Sequence, residues 1–164
     1  MTINIDTDML LFRFNNYKGY SFIDEHLMVL TQKNHVWMLK LGKRSSFEKL
    51  KEIQEKGGWL ILRSPKAEGG KSYLAHFTEF TENKPIDDSY PKYYKELLNS
   101  KNEDDIYFTD MPSFQWFRIE SIMPIDNSIA TSLVVSKTGK KVDDVISTTR
   151  TAVMFIKNKA VIDV

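Results

Sequence analysis

The stretch Ser113-Phe114-Gln115-Trp116-Phe117-Arg118-Ile119-Glu120-Ser121-Ile122-Met123-Pro124-Ile125 places large apolar and polar residues alternately. Period two is the mark of a strand with one face buried, and the Pro-Ile step at its end breaks the hydrogen-bond ladder. After it come a short apolar strand at 133–136, a basic turn Ser136-Lys137-Thr138-Gly139-Lys140-Lys141, and the polar run Ser147-Thr148-Thr149-Arg150-Thr151.

Upstream, residues 9–14 form an apolar run of strand length. Ser21 begins a helix with Asp24 at its third position, Ile23, Leu27 and Leu30 share a face, and Asn34 is a left-handed stop. Residues 35–41, His-Val-Trp-Met-Leu-Lys-Leu, are apolar on both faces, the pattern of a central strand. Ser45 and Glu48 have capping-box spacing, Phe47, Leu50 and Ile53 form the buried stripe of the helix that follows, and Gly57 closes it. Residues 59–63 and 73–80 read as an antiparallel pair joined by a long glycine-rich connection. A polar linker at 81–88 leads to a short helix around Tyr93, Leu97 and Leu98, then to an acidic stretch at 99–105. A last strand lies at 152–156. Short, mostly antiparallel strands with a few helices argue for an α+β domain, with a partly closed barrel to protect the sheet edges.

Composition narrows the function classes. A chain of 164 residues can bury a full core, and its 23 basic and 22 acidic residues leave a net charge of +1. Any attraction for nucleic acid must therefore come from a local patch. The absence of cysteine removes disulfides, thiolate metal sites and a cysteine nucleophile together. No apolar run approaches the roughly 18 residues of a membrane span, and the first eight residues are polar and acidic. The expectation is a cytoplasmic protein that does not enter a membrane.

The order of elements resembles the YTH and EVE domains, relatives of the PUA fold. Trp37-Met38-Leu39-Lys40 matches the family's first core strand, which ends in a lysine. Residues 45–55 match the following helix. Gly57-Gly58-Trp59-Leu60-Ile61-Leu62-Arg63 and Lys71-Ser72-Tyr73-Leu74-Ala75-His76-Phe77 match its strand pair. Gln115-Trp116-Phe117-Arg118-Ile119 stands where the Arg-Trp strand lies, and Thr149-Arg150 where an arginine contacts phosphate. The likeness spans roughly residues 36–156. It implies a PUA-like domain over 35–164, with 1–34 as an N-terminal extension forming one compact unit with it. It departs from the family in the loop 107–114, which offers the aromatic Phe114 where a second cage tryptophan is usual.

The resemblance implies a non-enzymatic reader of DNA or RNA carrying a modified, methylated base flipped into an aromatic pocket. Such domains occur as substrate-reading parts of methyl-directed, McrBC-type restriction systems. A motor or nuclease would then lie on a partner subunit or a C-terminal continuation, because the chain has no Gly-x4-Gly-Lys-Ser/Thr loop. The implied base-binding set is Trp37, Trp59, Phe114, Trp116 and Lys40. The implied phosphate-binding set is Arg150 and Thr149 with Lys137, Lys140, Lys141, Lys43 and Arg44. Stacking on aromatic faces is worth roughly 1–3 kcal/mol per base. The competing reading for each tryptophan is the core, and for Lys66 and Lys71 an ordinary solvated turn.

No cofactor or metal is expected, since His26, His35 and His76 lack ligand spacing and His26 falls on the exposed flank of its helix. The acid pairs Asp87-Asp88, Asp104-Asp105 and Asp143-Asp144 lie in polar runs, where carboxylates are solvated. Two other classes stay open. One is an ASCH-like hydrolase of a nucleoside or RNA, with Lys40, Thr149 and Glu79 as its set. The other is a PUA-like protein-interaction domain without a ligand.

Overall fold

The computed structural model describes residues 1–100 and 114–164. The acidic stretch beyond position 100, with Asp104-Asp105, and the loop 107–113 lie outside the described residues. The elements in chain order are β1 (Thr2–Ile3), β2 (Asp8–Arg13), α1 (Phe22–Lys33), β3 (Val36–Leu41), α2 (Phe47–Glu55), β4 (Trp59–Arg63), β5 (Ser72–Thr81), α3 (Tyr93–Ser100), β6 (Phe114–Pro124), α4 (Asn127–Ala130), β7 (Val134–Val135), α5 (Val142–Ile146), β8 (Val153–Lys157) and β9 (Ile162–Asp163). A short 3-10 turn, Lys66–Glu68, lies between β4 and β5. The class is α+β, as expected. Seven strands are ordered β3-β6-β5-β4-β2-β8-β7, and β1 pairs with β9. The order has two ends, so among the described residues the sheet is not closed into the expected barrel.

The chain divides into two compact units. One comprises Met1–Asn15, Phe47–His76 and Ile122–Val164, and the other comprises Asn16–Ser46 and Phe77–Ser121. Residues 1–34 contribute to both, β1 and β2 to the first and α1 to the second.

In unit one, β2 lies between β4, to which it is parallel, and β8, to which it is antiparallel. A strand paired on both edges and covered on both faces should be apolar throughout. Met9, Leu10 and Leu11 meet that condition, all fully buried. α2 packs on β2 and buries Leu50 and Ile53. Two details of its start differ from expectation. The helix begins at Phe47, which is 57% exposed and so does not join Leu50 and Ile53 in the buried stripe. Ser45 lies before the cap position and so does not form the expected capping box.

The unit-one core joins Met9, Leu11, Trp59, Ile61, Leu74, Met154 and Ile156 to Leu133, Val142 and Ile162 from outside the main strands. Its two ends are tied by Asn158, fully buried. The Asn158 amide donates to the Asn4 and Ala160 carbonyls at 2.8 and 2.9 Å, and its oxygen accepts from Thr7 N–H at 2.9 Å.

In unit two, β3 pairs antiparallel with β6, with Leu39 opposite Trp116. β3 was expected to be central, but it is the last strand in the order. Its outer edge is covered instead of paired: Trp37 N–H donates to the Ser89 carbonyl at 2.7 Å and Leu39 N–H to the Tyr94 hydroxyl at 3.2 Å. Covering an edge satisfies its amides as pairing does, so the sequence looks the same. One face of the strand carries Trp37, Leu39, Tyr90, Tyr93, Tyr94 and Trp116 as a single aromatic core.

α1 has the caps expected of it. The Ser21 side chain accepts from Asp24 N–H, and Asn34 takes a left-handed φ of 66°. Its buried residues are Phe22, Ile23 and His26, so His26 is a core residue and not a solvated one. Its Nδ1 lies 2.6 Å from the Phe22 carbonyl and must donate there, because a carbonyl only accepts. Nε2 therefore accepts from the Tyr94 hydroxyl at 2.5 Å. Burial pushes the imidazole down to about 4, so it is neutral.

Candidate functional site

β2 and β4 run parallel, and both end in arginine: Leu10-Leu11-Phe12-Arg13 lies beside Leu60-Ile61-Leu62-Arg63, with Arg13 opposite Arg63. The ladder continues one step further as Phe14 N–H donates to the Arg63 carbonyl at 3.1 Å. Beyond it the chains diverge, Asn15 leading one way and Ser64-Pro65 the other. The carboxyl ends of neighbouring parallel strands are where open sheets commonly bind ligands, because the connections there part and leave a crevice.

A cleft of about 660 Å³ occupies this place, within unit one. Its walls come from the two strand ends, the turn carrying Lys66 and Gly70, α5 with Asp143 and Ile146, and the segment carrying Ser147, Arg150 and Ala152. That volume lies within the range of small-molecule sites.

The cations lining it are differently committed. Arg63 is buried, and each nitrogen of its guanidinium donates once: Nε to Ser72 Oγ at 2.5 Å, Nη1 to Asp143 Oδ1 at 2.8 Å, and Nη2 to the Ala130 carbonyl at 3.4 Å. Arg63 and Asp143 neutralise one another. Arg13 Nη1 donates to the Thr149 and Thr151 carbonyls, at 2.8 and 3.3 Å. It thus grips the backbone on both sides of Arg150. Arg150 itself is exposed, and its guanidinium makes no hydrogen bond or ion pair among the described residues; the same holds for the Lys66 ammonium and the Asn15 amide.

The expected phosphate set is thus partly assembled. Arg150 lines the cleft. Thr149 stands beside it, but its hydroxyl is bonded to Thr151 Oγ1 at 2.9 Å and accepts from Thr151 N–H at 3.2 Å, while its carbonyl holds Arg13. Lys137, Lys140 and Lys141 are exposed on the turn between β7 and α5 and are not in the lining. Lys43 and Arg44 belong to unit two. Lys43 is exposed, and Arg44 pairs with Glu82 at 3.0 Å while donating to the Phe114 carbonyl at 2.9 Å. Lys66 does line the cleft and Lys71 does not.

The expected base-binding set is not at the cleft. Trp59 is 6% exposed within the unit-one core, its ring 4.8 Å from that of His76. Trp37 and Trp116 are buried in the aromatic core of unit two, with Phe114 packed against that cluster. Lys40 is buried on the other face of β3, its Nζ donating to the Lys43 carbonyl, and burial pushes its ammonium down to about 8. The physical reason is that β3 and β4 are buried on both faces, so Trp37, Lys40 and Trp59 are enclosed whichever face they take. Of the hydrolase set, Lys40 and the exposed Glu79 belong to unit two and Thr149 to unit one.

Arg13, Arg63 and Asn15 were not singled out from sequence as site residues, and Asp143, expected to be a solvated acid of a polar run, instead pairs with the buried Arg63 from the start of α5. The available signal was the pair of apolar runs each closed by arginine, followed by a polar or turn residue within two positions. In comparisons with protein-family models, curated proteins and solved structures, none matches this chain.

Proposed function

We propose that this chain is a non-enzymatic nucleic-acid-binding module that takes a phosphate of DNA or RNA in the unit-one cleft, with Arg150 as the group that meets it. One observation carries the proposal. An uncommitted guanidinium stands in a cleft at the carboxyl ends of two parallel strands, and a second arginine holds the backbone on both sides of it. A guanidinium can bind phosphate through two parallel hydrogen bonds, and those bonds are strengthened by charge. Net charge near zero fits a local patch rather than a whole-surface attraction. Recognition of a methylated base is part of the proposal on the strength of the YTH-like and EVE-like element order, with no tryptophan assigned to it.

The test is binding of methylated and unmodified oligonucleotides, single- and double-stranded, DNA and RNA, across a salt series. On duplex DNA each neutralised phosphate contributes a slope of about −0.9 in log affinity against log salt, so engagement of two to three cations gives roughly −2 to −3. Arg150→Ala flattens that slope by about one and weakens methylated and unmodified ligands alike. A slope near zero with every polymer, or an unaltered slope in Arg150→Ala, would overturn the proposal.

A further inference from the structure

We infer that the cleft is built for a terminal phosphate, a dianionic phosphomonoester at the end of a strand, rather than for an interior phosphodiester. The inference rests on the nucleic-acid reading above and adds the chemical form of the group bound. Its first ground is charge. With Arg63 and Asp143 paired, three cations line the cleft without an acidic partner among the described residues: Arg13, Lys66 and Arg150. An interior diester brings one negative charge. A phosphomonoester, whose second ionisation lies near pH 6, brings about −1.5 to −2 at neutral pH and three strong acceptor oxygens.

The second ground is size. Proteins that hold a strand by its interior use a charged groove tracking several nucleotides. Here the cations line a half-open cleft of about 660 Å³, room for a single nucleotide with its phosphate. The third ground is the division of donors. Arg150 and Lys66 are free to reach a phosphate from two different segments, while the Asn15 amide, also free, offers one donor group and one acceptor to a sugar or base edge.

One oligonucleotide sequence is prepared with a 5′-phosphate, with a 3′-phosphate, with hydroxyl ends, and as a covalently closed circle. Each is measured by anisotropy or calorimetry, with adenosine monophosphate as a separate ligand. The expected result is an affinity about tenfold higher for a phosphorylated end, equal to about 1.4 kcal/mol, with the circle binding like the hydroxyl-ended strand. Arg150→Ala and Lys66→Ala, both at exposed positions and checked for fold by circular dichroism, should each remove most of that advantage.

If circle and phosphorylated strand bind equally and Arg150→Ala weakens both alike, the terminal-phosphate inference falls while nucleic-acid binding stands. If adenosine monophosphate binds and no oligonucleotide does, the cleft takes a phosphomonoester but not a strand end, and both the terminal-phosphate inference and the polymer reading fall. If nothing binds, both fall.

Discussion

Arg13 and Arg63 lie opposite one another on neighbouring parallel strands, yet one holds a loop and the other holds a core. Arg63 is buried and directed at Ser72, Asp143 and the Ala130 carbonyl. Arg13, half-buried, is directed at the carbonyls of Thr149 and Thr151. Equal placement on the sheet therefore produces two different dependences, and each can be measured.

Arg13→Ala should weaken oligonucleotide binding without removing a ligand contact of Arg150 itself. Its bonds to two carbonyls order the segment that carries Arg150, and hydrogen bonds from a charged donor are worth roughly 1.5–3 kcal/mol. The expected signature is faster amide exchange confined to residues near 149–152, together with lost affinity. Arg150→Ala should lose affinity with exchange unchanged. Identical exchange in the two variants would show that Arg13 does not position this segment.

Asp143→Ala leaves the Arg63 guanidinium buried and unpaired. Breaking a fully buried pair costs about 3–5 kcal/mol, and the half-exposed Asp143 side chain lets water recover part of that, so about 1–3 kcal/mol is expected in denaturant unfolding. The double variant Arg63→Met with Asp143→Leu should be more stable than Asp143→Ala alone, because it removes the stranded charge. Additive losses in the double variant would contradict the pairing.

His26 makes stability fall with acidity in a defined window. In the fold its imidazole is neutral and titrates at about 4, against an ordinary value of 6.5. Below pH 6.5 the unfolded chain takes up the proton and the folded chain does not, so stability present at neutral pH is lost between about 6.5 and 4. At 1.36 kcal/mol for each pH unit, the loss is about 3 kcal/mol. Denaturant unfolding between pH 7.5 and 4 should show a steeper decline for the native chain than for His26→Gln. Parallel profiles would mean that His26 does not carry it.

Trp59→Ala should unfold the protein more readily rather than alter ligand preference. Truncating a buried tryptophan costs about 3–5 kcal/mol, and Trp59 is in the unit-one core. Gly57→Ala should act through the same residue: Gly57 has a φ of 128°, and a Cβ there would lie 2.5 Å from Trp59 Nε1. Thermal unfolding reads both variants. A stable Trp59→Ala with selectively lost affinity for methylated oligonucleotides would instead return Trp59 to the base-binding set.

The residues that sequence alone determined are those whose partners lie within a few positions. Ser21 and Asn34 bound α1 because a cap bonds three or four residues away. The alternation around Trp116 marks β6, and the apolar runs mark β2, β4 and β8, because strand period is a local property. Apart from the antiparallel β4–β5 pair, joined by one connection and expected from sequence, only the tertiary structure decided which strands are neighbours. β3 has the sequence of a central strand and is the last in order, because Tyr94 and the Ser89 carbonyl satisfy its edge. Likewise the tryptophans are aromatic by sequence, but whether they line a pocket or a core depends on what covers their face.

Arg150 was legible as a candidate from its polar, hydroxyl-rich surroundings. Its companions were not, since Arg13 reaches Thr149 across 136 positions and meets Arg63 only through the parallel register of β2 and β4. Parallel pairing requires a long crossover, so the contacts that assemble the cleft leave no periodic trace along the chain.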